Sequence, residues 1–432
     1  MDLHFWIALS SLLIIVIYAV MVFRNVDPLV ATAICVGVGF LYNLSNPIEI
    51  GKTFEHALGS FLALVGFIIM LGRGLGEILT ETKVSHTLVY KIVYGIGVNT
   101  KIKVKVGILL SVLIVVGILG TLAGGIAAIA PILRPIAAKV RLPKPVLAVL
   151  MQAAGEEALI LGPFAPPVVT VLGVTGLTYT RLLIWAAIPI ALVTLFATWI
   201  MANKLQKIYA NEVVDAEEDN AGRFEPDKQQ ILSTTYFILA FISCLLYGLL
   251  HNAGTSFVVF VMLFLSITTG LVARIKISHI FELIIQGMQK NFHLFFIFLL
   301  LDPFLNLVQN AGGFAALAKL FVPLEHLGGK SLLSILIGLT GAFGMPAASA
   351  AVIKMLYQIF SPTASMMQLS MATFAFTMLL ATRITNFVYP GGNMFAAMGF
   401  AGSTNIKAMI RNGLFVAMCQ IMFLMIYSLI FG

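Results

Sequence analysis

Apolar runs follow one another along almost the whole of this chain. At about 17–25 residues each, such runs are long enough to cross a hydrocarbon core of about 30 Å. The pattern defines a polytopic α-helical membrane protein. Composition agrees: 60% of the 432 residues are hydrophobic, 10% are charged and the mean hydropathy is +1.03, whereas soluble proteins carry about 25% charged residues. The first run, Phe5 to Val22, has no basic region ahead of it and no small-residue cleavage site behind it. It is expected to stay as a helix rather than leave as a signal peptide. A net charge of +8 would suit nucleic acid in a soluble protein. Here the basic residues sit in short loops, so membrane topology accounts for them and no nucleic-acid partner is expected. Cys35, Cys244 and Cys419 lie inside apolar runs and the histidines are scattered, so neither a disulfide framework nor a metal site is implied.

One segment is strongly polar: Lys204 to Gln230, containing "NEVVDAEEDNAGRFEPDKQQ". Its acidic run, Gly and Pro read as a solvated linker. The expected organisation is a first repeat over 1–203, a linker over 204–230 and a second repeat over 231–432. "VLGVTGLTYTRLLIWAAIPIAL" (from Val171) falls on "AMGFAGSTNIKAMIRNGLFVAM" (from Ala397), and "EILTETKVSHTLVYKI" (from Glu77) on "LNLVQNAGGFAALAKL" (from Leu305). "GILGTLAGGIAAIAPIL" (from Gly117) falls on "GLTGAFGMPAASAAVIKML" (from Gly338), at a smaller offset of 221 residues. Matches in the same order point to duplication.

Each half reads as five spans plus one re-entrant hairpin. The first-half spans lie near 5–22, 29–45, 57–80, 145–175 and 182–202, with the hairpin at 105–140. Those of the second half lie near 231–250, 256–274, 284–309, 369–400 and 408–430, with the hairpin at 331–359. A hairpin returns to its own side, so five crossings invert the second repeat relative to the first. Arg24, Lys101 to Lys105, Lys139 to Lys144, Lys204, Arg274 and Lys407 then share one side, and Lys52, Arg181, Lys319, Lys330 and Lys354 the other. The rich side is expected to be cytoplasmic, with the linker inside and both termini outside.

One span in each half is interrupted: "GEEALILGPFAPPVV" (from Gly155) and "TRITNFVYPGGNMF" (from Thr382). Pro163, Pro166 and Pro167 in one, and Pro390, Gly391 and Gly392 in the other, are expected to unwind a turn of helix. Freed backbone groups at membrane depth need protein or a water-filled cavity around them, so the breaks should face inward. Paired broken spans mark a transporter binding site. Ionisable residues precede both breaks: Glu156 and Glu157 in one, Arg383 in the other, the latter aligned with Glu157. Adjacent helical residues point about 100° apart, so the two acids are expected to divide two jobs, cation coupling and pairing with Arg383. Arg73 and Glu77, four apart, are expected to pair with each other, and Asp302 to sit near the outer end of its span. The hairpin tips, "GTLAGG" (Gly120 to Gly125) and "GAFGMPAAS" (Gly341 to Ser349), are small and polar, able to hold an anion on exposed amides. No nucleophile–base pair or metal motif emerges, so an enzyme is not expected.

The order of a Gly-rich third span ("LVGFIIMLGRGLGEILTETKVSHTLVYKI"), a glycine hairpin and "RLPKPVLAVLMQAAGEEALILGPFAPPVVTVLGVTGLTYTRLLIWAAIPIAL" resembles the ion transporter superfamily. It is nearest to the gluconate:proton symporters and related organic-anion and sodium:proton carriers. Gluconate-type carriers have a His- and Pro-rich segment where this chain has "GEEALILGPFAPP", and the Ser-Asn-Thr signatures of dicarboxylate carriers are absent from its hairpins. The resemblance implies a scaffold domain and a moving transport domain, often in a homodimer, in a bacterial inner membrane.

The function expected is secondary transport of a small organic anion coupled to H+ or Na+. Thr121, Gly124, Pro163, Ser349, Arg383, Thr385, Asn386, Gly391 and Asn393 are the expected substrate residues, and Glu156 and Glu157 the expected ion-coupling ones. No cofactor is expected beyond Na+ as a possible coupling ion. The alternative is a cation:proton antiporter built on Glu156 and Glu157; a channel or receptor is a weaker third.

Overall fold

A computed structural model describes residues 3–24, 26–214, 224–321, 324–344 and 348–431. Its regular elements are helices, and eleven of the described segments are long and apolar enough to cross a membrane.

In the first half, α1 (Leu3–Ser10) and α2 (Leu13–Phe23) make one span with a turn between them, followed by α3 (Pro28–Tyr42). A short amphipathic helix, α4 (Pro47–Leu58), leads into α5 (Phe61–Glu81), and α6 (Val84–Ile96) leads out of it. The hairpin is α7 (Lys101–Leu119) and α8 (Leu122–Lys139). The broken span is α9 (Lys144–Leu161) and α10 (Pro166–Thr175). Finally α11 (Tyr179–Leu182) passes through a π turn, Leu183–Ala187, into α12 (Ile188–Ile208).

The second half repeats the series: α13 (Lys228–Leu250), α14 (Thr255–Val272), amphipathic α15 (Ile277–Lys290), α16 (Phe292–Asn310) and α17 (Gly313–Phe321). A hairpin of α18 (Leu324–Gly344), kinked at Gly329, and α19 (Ser349–Met366) comes next. The broken span α20 (Met371–Val388) and α21 (Gly392–Ala401) and the closing α22 (Ile406–Phe431) complete it.

The halves match element by element. Leu122 and Ser349 open equivalent hairpin arms, 227 residues apart, and Lys144 and Met371 open equivalent broken spans at the same separation. The offset of 221 expected for the tips is therefore corrected. Glycines at several positions let the sequence slide, whereas the helix starts fix the register. With that register Arg383 is equivalent to Glu156, not to Glu157.

Two span boundaries also change. Residues 284–290 belong to α15, which stops at Asn291 before α16 begins. Residues 57–60 close α4 and cap α5 through Ser60, whose side chain accepts from the Ala63 amide. Both amphipathic helices end in short polar joints that an apolar average blurs. Asp302 lies mid-way along α16 rather than near its end; Asn306 donates to it at 2.9 Å and His56 stands 3.7 Å away.

The broken spans form the centre. Helix α9 is buried from Pro145 to Ile160, and α20 is buried along most of its length. They pack against the closing helices α12 and α22. The hairpin reaches this centre and stops there. Gly120 ends α7 in a left-handed conformation (φ 65°), and its Cα faces the Phe164 carbonyl and Ala165 of the break. Gly162 lets the Gly117 carbonyl of α7 approach the end of α9 with no room for a side chain. A hairpin whose tip abuts the middle of a broken span is re-entrant.

Candidate functional site

The breaks form where backbone chemistry requires them. Helix α9 ends on Gly162, and Pro166 and Pro167 restart the helix at the first turn of α10, where a missing N–H costs nothing. In the second half α20 ends at Tyr389, Pro390 follows, and Gly391 caps α21.

Between the breaks sits one fully buried ion pair. Arg383 Nη1 lies 2.7 Å from Glu156 Oε2, both side chains being 0% exposed. The same Nη1 donates to the Glu156 carbonyl at 2.6 Å, and Nη2 donates to Ser349 Oγ at 2.8 Å. Asn386 and Asn393 donate their amides to the two Glu156 oxygens, at 2.7 and 2.8 Å. Thr382 accepts from Arg383 Nε at 3.3 Å. The pair thus ties together α9, α19, α20 and α21. Burying two charges costs several kcal/mol per ion unless geometry and further hydrogen bonds compensate; here each oxygen of the carboxylate has a donor.

A cavity of about 1000 Å³ opens in front of the pair. Seven of the residues expected from sequence line it: Thr121 and Gly124 of the first tip, Ser349 of the second hairpin, and Thr385, Asn386, Gly391 and Asn393 around the second break. Pro166 and Pro167 line it from the first break. Pro163 does not; it borders a separate hollow of about 410 Å³ between α10 and α13–α14. Thr385 spends its hydroxyl proton on helix and hairpin carbonyls, the nearest being Ala381 at 3.0 Å. Arg383 and Glu156 stand behind the lining, and Glu157 is not part of it. Residues 345–347 of the second tip lie outside the described residues.

Two cations on the cavity wall were not expected there. Arg73 of α5 reaches Glu77 at 3.4 Å, as the i,i+4 spacing implied, but Lys290 of α15 is closer to the same oxygen, at 2.7 Å. Two cations share one carboxylate, so the cluster keeps a positive charge. Arg73 packs directly on Gly124 of the hairpin, and its Nε has no hydrogen-bond partner; nor has the Thr121 hydroxyl. The signal available in sequence was the polar pair Lys290–Asn291 inside a presumed span.

The protein is thus a duplicated helical membrane fold, with two broken spans and two hairpins around a positively charged cavity. No family model matches the chain, and no curated protein does. The fold has a solved counterpart: the YdaH transporter of Alcanivorax borkumensis, whose crystal structure was described as having an unusual topology, is similar with a TM-score of 0.60. The match covers 89% of this chain and 90% of that one at 18% identity. The likeness is one of fold.

Proposed function

We propose that the protein is a secondary active transporter that moves a small organic anion, a carboxylate or sugar acid, across the bacterial inner membrane, coupled to H+ or Na+. One observation carries the reading. Both hairpins and both helix breaks converge on one cavity, whose charged lining groups are the cations Arg73 and Lys290. A fixed positive charge beside half-helix ends and side-chain amides suits a carboxylate. In this reading Arg73 and Lys290 hold the carboxylate, and Thr121, Ser349, Asn386 and Asn393 orient the rest of the solute. Rocking of the hairpins and broken spans against the outer helices switches access. Because Arg73 belongs to α5 and rests on Gly124 of the hairpin, a bound anion is felt at the seam between them. Fold similarity to a transporter supports the class; the cationic cavity supports an anion as the solute. A homodimer with both termini outside belongs to the same proposal.

The test is thermal-shift screening of purified protein against carboxylates, sugar acids and amino acids, with and without Na+. A ligand specific to the folded state raises the melting temperature by mass action. Arg73→Ala and Lys290→Ala should each weaken a stabilising anion about tenfold or more, equivalent to about 1.4 kcal/mol. If no anion stabilises the protein, or both variants bind it as the wild type does, the site assignment fails. Cation gradients dissipated in liposomes with no organic solute present would favour the antiporter instead.

A further inference from the structure

Glu157 is the one acid of the broken spans that the ion pair leaves unused. It is 0% exposed, neither carboxylate oxygen accepts a hydrogen bond of ordinary length, and the Thr194 hydroxyl is the side-chain donor that approaches it. It follows Glu156 on α9, and so points about 100° away from the Arg383 side. Its surroundings come from the closing helices. Thr194 of α12 faces it, and Gln420 of α22 donates its amide to Thr194 Oγ1 at 2.7 Å. The other amide atom, Gln420 Oε1, is buried without a partner.

The packing places these three residues in one layer. Ala153, Ala197, Phe387 and Val416 form a small apolar cluster of their own. Glu157 lies four residues beyond Ala153, Thr194 three residues before Ala197, and Gln420 four residues beyond Val416. Each is one turn from that cluster on its own helix. Above that cluster the polar groups run as a chain from Glu157 of α9 through Thr194 of α12 to Gln420 of α22. None of the three residues lines the anion cavity; the Arg383–Glu156 pair stands between. The charges acting on Glu157 are Arg383 from α20 and Glu156 from its own helix, while α12 and α22 present neutral groups. Arg383 is already matched by Glu156, so Glu157 brings an uncompensated negative charge, which is expensive at such depth.

We propose that Glu157, Thr194 and Gln420 form a binding site for a small monovalent cation, separate from the anion cavity. Its chemistry is that of a carboxylate with a hydroxyl and an amide oxygen. A proton completes it by turning one Glu157 oxygen into a donor for Gln420 Oε1 or Thr194. Sodium completes it by collecting hard oxygen ligands from all three. Either cation removes the unpaired charge. The site's role as the coupling site rests on the transport reading above; binding of the cation does not. Being next to Glu156 in sequence, Glu157 is tied to the residue that joins both breaks, and its occupancy can bias their arrangement.

The experiment uses the purified full-length protein in detergent. Melting is followed in NaCl and in choline chloride at equal ionic strength, and infrared difference spectra are recorded across a pH titration. The expected result is one of two signals. Sodium gives a saturable rise in melting temperature that Glu157→Gln and Gln420→Leu abolish. A proton gives a protonated-carboxyl band that Glu157→Gln removes and Gln420→Leu shifts. Neither signal in the wild type, or a signal unchanged in Glu157→Gln, overturns the proposal. Arg73→Ala and Lys290→Ala should leave the cation signal intact, so failure of the anion site and failure of this one read separately. A cooperative melt of Glu157→Gln in choline chloride, at or above the wild-type temperature, shows that this variant folds.

Discussion

Glu156 and Arg383 occupy equivalent positions in the two halves and meet across 227 residues. Because both are fully buried, they are expected to depend on each other more than on any other partner. Glu156→Gln or Arg383→Met alone should cost about 3–5 kcal/mol, since each leaves one buried charge unpaired. The double variant should recover much of that loss. Unfolding in detergent, read as a double-mutant cycle, checks the coupling. The charges beside the breaks of the candidate site were legible in sequence, because a charge beside a helix break in an apolar run has few structural explanations. Their pairing was legible only to within one residue. The choice between the two acids was open, and a one-residue error in repeat register aligned Arg383 with Glu157 instead of Glu156; only helix geometry resolves such a shift. Lys290 was not legible as a site residue, because its approach to Glu77 depends on how α15 crosses α5.

At the level of elements, the close seat of the first hairpin on the first break rests on glycine. A methyl group on Gly162 would run into the Gly117 carbonyl. Backbone cannot rotate aside as a side chain can, so Gly162→Ala should cost about 1–3 kcal/mol, as overpacked cores do. It should also loosen the tip that frames the cavity, which protease or cysteine accessibility at Thr121 would detect. A second element-level device is the contact between α6 and the linker. His86 meets the Phe224 ring at a tilt of 56°, with ring centroids 5.6 Å apart. Burial, aided by the nearby Lys83 charge, pushes the imidazole down to about 4. The folded state therefore disfavours the protonated ring. Stability from this contact is present above pH 6.5 and declines as the pH falls from about 6.5 towards 4, where the unfolded chain holds more protons. His86→Phe should flatten that part of the stability–pH curve, measured by melting from pH 7.5 to 4.5. Helices carried by uniform apolar runs were the legible elements. The second half of the amphipathic α15 was merged into α16, and the last two residues of α4 into α5, because the polar joints between them are short.

Across the whole molecule, the linker does more than connect. Lys144 donates its amide to the Glu212 carbonyl at 2.7 Å, and the Glu212 carboxylate accepts from Asn405 at 3.0 Å. The start of the linker is thus fastened to the entry of α9 and to the joint between α21 and α22. The proposed sidedness predicts that cysteines placed near residue 3 and near residue 212 react with an impermeant reagent from opposite faces of sealed vesicles; labelling of both from one face would refute it. Such a duplication was legible because matching segments kept their order, even though their identities had drifted. The buried ion pair adds a constraint on ancestry and engineering alike. Two copies of the amino-terminal half would confront carboxylate with carboxylate at the centre, and two copies of the carboxy-terminal half guanidinium with guanidinium. Neither half can any longer serve as its own mate, so the fused chain has become an obligate pairing of unlike parts.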